Sequence, residues 1–165
     1  MEQEHNYQET IKRFSNKLPH FPDGRIDYTN SKEAPALNCF VESNGKILLL
    51  KRSEKVGNYQ GMWNSIGGYL DENKPLENKV KEELIEELDI KEENIADIKI
   101  GKAYAFHDED IDKIWHIFPV LVKLKTEPKI KLDWEHTDFV WVKKEEIANY
   151  NTVPKLVEVL GHLNC

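Results

Sequence analysis

Residues 67–90, GGYLDENKPLENKVKEELIEELDI, constrain the fold more than any other stretch of the chain. Two glycines open it, a polar loop follows, and then Leu76, Val80, Leu84 and Leu88 recur every four residues. That period is helical, and the apolar stripe it makes must pack on a core. The same run carries Glu82, Glu83, Glu86 and Glu87. Positions three and four apart share a helix face, so Glu83, Glu86 and Glu87 point the same way. Exposed like charges at that spacing repel by about 0.2–0.5 kcal/mol per pair, and a purely structural helix would alternate Glu with Lys. A solvated acidic face is one reading. A hard cation over the face is the other, because Mg²⁺ takes oxygen ligands, keeps several waters and is commonly shared with substrate phosphates. Two features favour the cation. Glu83 and Glu87 flank the apolar stripe, where an unpaired charge is costly. Gly67 and Gly68 follow an apolar strand-like segment, and a glycine turn lets backbone approach a ligand closely and offer a carbonyl oxygen.

This stretch resembles the Nudix box: glycine, five residues, glutamate, seven residues, Arg-Glu, an aliphatic, any residue, Glu-Glu, any residue, glycine, aliphatic. With Gly68 as the first glycine the register runs to Ile90 without a gap. Gly68, Glu83, Leu84, Glu86, Glu87 and Ile90 match. Lys74 stands in place of the glutamate, Glu82 in place of the arginine and Asp89 in place of the second glycine, so the box is degenerate. Lys74 and Glu82 keep opposite charges with the signs exchanged, which predicts an inverted salt bridge bracing the loop against the helix.

The chain has 165 residues, enough for one domain with a substantial core. A hydrophobic content of 39% and a charged content of 32% describe a globular protein. The net charge of −7 argues against long nucleic acid, which binds to basic stripes, but not against a small phosphorylated ligand held through metal. No apolar run is long enough to span a membrane, and residues 1–20 are too polar for a signal peptide. Two cysteines, Cys39 in an apolar strand and Cys165 at the last position, make no disulfide framework. A reducing cytoplasm is the expected home.

Taken in order, residues 5–17 fit a short amphipathic helix through Tyr7, Ile11 and Phe14. Pro19, Pro22 and Asp23-Gly24 break the chain, and Ile26 to Tyr28 fit a short edge strand. ALNCFV and KILLLKR read as strands joined by Asn44-Gly45, a hairpin dipeptide. A polar loop, residues 53–66, closes on Trp63 and Ile66, with Trp63 read as a core plug and Tyr59 unassigned. Residues 95–106 and 114–124 read as two longer strands around a solvated loop at 107–113 that reaches over the site. His107 and His116 lack zinc-like spacing. In residues 133–142, Phe139 and Trp141 alternate with Val140 and Val142, which predicts a strand buried on both faces. A short helix over residues 143–150 and a terminal helix over 154–163, with Leu156, Val159, Leu160 and Leu163 inward, complete the chain. Strands alternating with two or three helices fit a mixed sheet between helices.

The resemblance, to MutT-like Nudix hydrolases, implies an α/β/α sandwich. It makes residues 35–165 the Nudix domain and leaves residues 1–34 as a helix and extended segment packed on it. It also implies Mg²⁺ or Mn²⁺ held by the Gly68 carbonyl, Glu83, Glu86 and Glu87, and hydrolysis of a phosphoanhydride in a nucleoside diphosphate linked to another group. The water's proton would go to a box glutamate or to Glu135, whose alternative role is an exposed loop carboxylate. Arg52 is a candidate phosphate contact or a surface salt bridge. Tyr104, Phe106 and Trp115 are candidates for stacking on the substrate or for sheet packing. The expected partner is a small phosphorylated substrate, a nucleotide; monomer and homodimer both stay open. A non-catalytic nucleotide-binding module is the alternative reading. An isopentenyl-diphosphate-type isomerase shares the fold but uses a cysteine near the glycine pair, where this chain has Ser65, Ile66 and Gly67.

Overall fold

The structure, a computed structural model, describes residues 2–163, so Cys165 lies outside the described residues. Its centre is strand β1, Glu33–Ser43. The Asn44-Gly45 hairpin returns the chain as β2, Lys46–Arg52, with Ser43 opposite Lys46. Both turn residues take positive φ (53° and 76°), the conformation that suits the twist of a two-residue hairpin. Strands β3 (Trp63–Asn64) and β4 (Ile66–Tyr69) follow; β3 pairs with β2, and β4 runs antiparallel to β1. Helix α2, Leu76–Leu88, then crosses over. Strand β7, Lys113–Leu124, lies parallel to β1, from Glu33 opposite Ile114 to Glu42 opposite Lys123. On its other side β7 carries β5 (Ile95–Ile100) and β6 (Tyr104–Asp108), both antiparallel. Strand β8, His136–Val142, pairs with β2.

A parallel pair needs cover on both faces, and the side-chain alternation supplies two cores. Leu37, Cys39 and Val41 of β1, Leu48 and Leu50 of β2, and Phe118, Val120 and Val122 of β7 face one way. They meet Leu76, Val80, Leu84 and Leu88 of α2 and Tyr7, Ile11 and Phe14 of α1, Glu2–Lys17. Phe40, Leu49 and Leu121 face the other way, onto Ile147 and onto Leu156, Val159, Leu160 and Leu163 of the C-terminal region, where α3 is Leu156–Gly161. The result is the expected mixed sheet between helices. No helix among the described residues is long and apolar enough to cross a membrane.

Several local expectations change. Residues 95–106 are two strands, not one. Pro119 has no N–H to give the ladder, its carbonyl takes Gly101 N at 2.8 Å, and the chain steps out between Ile100 and Tyr104. Gly101 is needed at that step, because a Cβ there would lie 2.7 Å from Leu163 Cδ2. The loop expected at 107–113 is shorter: His107 and Asp108 belong to β6, with Asp108 opposite Lys113. Ile26 forms only an isolated bridge with His20, since Ile26 N turns to Asp71 O at 2.8 Å. Strand β8 is not buried on both faces. Among the described residues it pairs with β2 alone, and Phe139 is 39% exposed on its outer face. Gly67 and Gly68 are no turn either: both lie within β4, with Gly68 at φ +153°, a backbone that favours glycine.

Candidate active site

Helix α2 is fixed in rotation by Leu76, Val80, Leu84 and Leu88, all fully buried. That setting drives Glu87 inward to 2% exposure, leaves Glu83 half-buried and turns Glu86 to solvent. The three, with Gly67, Gly68 and Glu135, line one cleft of about 430 Å³. Its far wall comes from the segment ahead of β8. There Asp133 and Glu135 bring carboxylate oxygens to Glu87, all within 4.8 Å of one another. This segment is pinned by Ser53 N donating to Glu135 O (2.8 Å) and by Glu135 N donating to Asp133 Oδ1 (3.1 Å).

The cleft is short of positive charge. Burial, then the neighbouring carboxylates of Glu135, Glu83 and Asp133, push Glu87 well above the usual carboxylate range. Its Oε2 is buried without a hydrogen-bond partner. His136 Nδ1 stands 4.0 Å from the other oxygen, Oε1, and burial pulls that imidazole's pKa down, so it offers no compensating charge. Lys79 Nζ pairs with Glu83 at 3.1 Å and reaches Glu72 at 3.4 Å, and is itself largely buried. An orphaned buried carboxylate oxygen among converging oxygen donors fits a hard divalent cation. Glu83, Glu86, Glu87 and Gly68, the residues named from the sequence, all line this cleft. The sequence pattern missed Asp133, whose signal was its place two residues before Glu135.

A second cavity, about 490 Å³, adjoins the first and shares Gly67, Gly68, Tyr69, Trp134 and Glu135 with it. Arg52 lines it, with Nε and Nη2 donating to Asn58 O and Oδ1 at 3.0 Å each. Among the described residues Arg52 makes no ion pair, so the surface salt bridge, one of its two readings, is not formed. Burial pulls its pKa down, while Glu135 and Glu87 push it up. Phe106 and Trp115 line this cavity, and Tyr104 does not. The Tyr104 ring packs instead on His162 (4.7 Å between centroids) and Phe106 (5.8 Å). Trp63 is also a packing residue, edge-on to Tyr150 at 5.5 Å. The unassigned Tyr59 donates its hydroxyl to the buried Asp108 at 2.5 Å. Tyr69 and Trp134, 43% and 59% exposed on the shared rim, were not anticipated. Each directly follows a residue of the acidic cleft, and that adjacency was the available signal.

The sequence model of the NUDIX domain matches residues 32–162. The chain belongs to the Nudix family. Its reaction class is the hydrolysis of phosphoanhydrides, and the family uses a divalent metal on small nucleotide substrates. Nucleoside triphosphatase NudI from Escherichia coli is 25% identical over 118 residues, covering 67% of this chain and 82% of that relative. A MutT protein from Methanosarcina mazei has the same fold with a TM-score of 0.64 at 22% identity, over 82% of this chain and 95% of its own. A bifunctional NMN adenylyltransferase/ADP ribose pyrophosphatase from Francisella tularensis, complexed with AMP and a Mn ion, aligns with a TM-score of 0.63 at 19% identity, over 96% of this chain and 46% of its own.

The departures from the Nudix box have structural answers. Lys74 Nζ lies 3.0 and 2.9 Å from the two carboxylate oxygens of Glu82, the inverted pair read from the sequence. Asp89 takes the left-handed conformation (φ 56°) at the end of α2, and Asp89 N and Ile90 N bond to Ile85 O and Leu84 O. That is the usual glycine closure of a helix, made here by aspartate.

Proposed function

We propose that this Nudix protein hydrolyses a phosphoanhydride in a nucleoside diphosphate linked to another group, with Mg²⁺ or Mn²⁺ bound by Glu83, Glu86, Glu87 and the facing Asp133. One observation carries the reading: a cleft whose carboxylates far outnumber its two cations, Arg25 and Lys79, opens directly onto an aromatic pocket lined by Arg52, which among the described residues makes no ion pair. When bound, the ion neutralises phosphate charge and acidifies a water. The chain's own groups do the rest. Arg52 draws the phosphates toward the shared rim. Phe106, Trp115, Tyr69 and Trp134 offer faces on which a base stacks. Glu135 borders both cavities, so it receives the proton of the attacking water.

The test is a panel of nucleoside triphosphates and nucleoside diphosphate conjugates with Mg²⁺ or Mn²⁺, read by released phosphate and by chromatography of products. The triphosphates are included because the NudI relatives are named for them. Turnover should require a divalent ion and fall by about 100-fold or more in Glu86→Gln, with the circular dichroism spectrum unchanged. Turnover in EDTA, or full turnover by Glu86→Gln, refutes the assignment. The changes at Lys74, Glu82 and Asp89 motivate a second reading, a binding module without turnover. Nucleotide-induced thermal stabilisation with no product from any substrate would identify it. A cysteine-dependent isomerase lacks its reagent among the described residues: Cys39 is buried in the core and lines neither cavity.

A further inference from the structure

We propose that the N-terminal segment, which precedes the matched Nudix region, positions the metal-binding helix, with Glu4 acting as the N-terminal cap that α2 does not provide for itself. The proposal rests on the reading of the α2 glutamates as metal ligands.

The first N–H groups of a helix have no partner inside it, and a side chain at the capping position normally supplies one. In α2 that position is Pro75, which makes no side-chain capping bond. Leu76 N donates instead to Glu4 Oε1 at 2.9 Å, from a residue 72 positions away. A carboxylate there also suits the positive end of the helix dipole. The second Glu4 oxygen is buried and, among the described residues, accepts no hydrogen bond, so the side chain gives up solvation to stand there. Helix α1 holds Glu4 in place through Tyr7, Ile11 and Phe14, which share a core with Leu76 and Val80. The Tyr7 ring is edge-on to Phe118 of β7 at 5.4 Å.

The rest of the segment grips the loop between Gly68 and α2. Tyr28 stacks on Tyr69 (5.4 Å between centroids) and its hydroxyl donates to Leu70 O at 2.6 Å. Ile26 N donates to Asp71 O at 2.8 Å, and Arg25 Nη1 pairs with Asp71 Oδ2 at 3.4 Å. The Tyr7 hydroxyl donates to Glu72 O at 3.4 Å. Consecutive residues from Tyr69 to Glu72, and then the first residue of α2, are therefore each held by residues 4–28. Gly68 is fixed by its pairing with Leu37 of β1, so that loop sets where α2, with Glu83, Glu86 and Glu87, starts relative to it. The N-terminal segment thus fixes the spacing between the β4 and α2 walls of the cleft.

The test compares Glu4→Ala, Glu4→Gln and the double variant Glu4→Ala/Pro75→Asp with wild type. Amide hydrogen exchange is followed without metal, and Mn²⁺ affinity is measured by calorimetry. Glu4→Ala should speed exchange at the start of α2 about five-fold while the β7 amides keep wild-type rates. Its Mn²⁺ dissociation constant should rise about two-fold or more, with nucleotide KM at saturating Mn²⁺ unchanged. Glu4→Gln keeps an accepting oxygen and should stay close to wild type. Pro75→Asp installs a carboxylate that accepts from the N–H groups of Glu77 or Asn78 rather than from Leu76, and should restore both readouts to Glu4→Ala in part. Unchanged exchange at the start of α2 in Glu4→Ala overturns the cap. Faster exchange with unchanged Mn²⁺ affinity overturns the link to the site. Faster exchange throughout β7 marks a general loss of stability and also overturns it. A wild-type protein that binds no Mn²⁺ overturns the metal reading itself, a failure the exchange data do not share.

Discussion

Reversing the Lys74–Glu82 pair gives a test with a worked magnitude. Lys74 Nζ contacts both oxygens of Glu82, at 3.0 and 2.9 Å, and Glu72 Oε2 at 3.2 Å. The Lys74 and Glu82 side chains are 27% and 45% exposed, between buried and free. Exposed ion pairs contribute about 0.2–1 kcal/mol, and this two-pronged contact belongs at the upper end. Unit charges about 4 Å apart interact by about 1 kcal/mol even in water. Lys74→Glu therefore loses the attraction and adds repulsion from Glu72 and Glu82, for about 3 kcal/mol in all. Glu82→Arg leaves Lys74 with Glu72 and should lose about 1–2 kcal/mol. In the double variant Lys74→Glu/Glu82→Arg the exchanged side chains pair again, and only the repulsion from Glu72 remains, about 1 kcal/mol. The expected coupling is about 3–4 kcal/mol, measured by urea unfolding of all four proteins, with kcat/KM recovering in parallel. High salt should shrink it, since the pair is partly solvated. A double variant whose loss equals the sum of the singles within about 0.5 kcal/mol refutes the pairing.

Three further outcomes follow from the site. Glu87 is pushed up in the folded, metal-free protein, so the native state holds a proton that the unfolded state releases above the ordinary carboxylate value of 4.5. Stability of the metal-free protein should therefore fall as pH rises from about 4.5 toward neutrality; Glu87→Gln should flatten that slope in pH-dependent thermal unfolding while abolishing turnover, and a wild-type slope of opposite sign refutes it. Asp89→Gly relieves the left-handed strain at the end of α2 and should stabilise by about 0.5–1 kcal/mol in urea unfolding, whereas a loss would mean that the Asp89 side chain makes an unrecognised contribution. Arg52→Lys keeps the charge but not the two-pronged hold on Asn58, and should raise nucleotide KM about ten-fold with kcat within about two-fold; an unchanged KM removes Arg52 from the phosphate path.

What was legible in the sequence is what local periodicity or spacing encodes. The Asn44-Gly45 hairpin needs two positive φ angles, and that dipeptide supplies them. Lys74 and Glu82 are tied by their spacing in one motif, so exchanged signs were enough to expect the bond. The strand break at Gly101 was not legible, because it depends on Pro119 and Leu163, distant in sequence and adjacent only once β5, β7 and the C-terminal region have packed. The burial of β8 was misjudged for a related reason: alternating apolar residues do not reveal that one edge of the strand lacks a partner. Asp133, Tyr69 and Trp134 reach the site by the same kind of convergence, through the β2–β8 and β1–β4 pairings.

Glu83 and Glu87 show where local reading ends within a single helix. At 3.6 residues per turn, Glu83 points about 20° from Leu76, and Glu87 about 20° from Val80. The helical wheel therefore places Glu87 within the buried stripe, between Leu76 and Val80, Glu83 just outside its edge and Glu86 about 80° from Leu76, which matches their rising exposure. It does not say which charges each of them meets. Those come from opposite neighbours. Lys79, one turn earlier on α2, meets Glu83 with a cation at 3.1 Å. The segment ahead of β8 meets Glu87 with two more carboxylates and a histidine whose burial disfavours protonation. The first environment compensates a charge and the second concentrates it. A helix pattern alone thus identifies which carboxylates can reach a cation, and the long-range β2–β8 pairing decides that Glu87 most needs one.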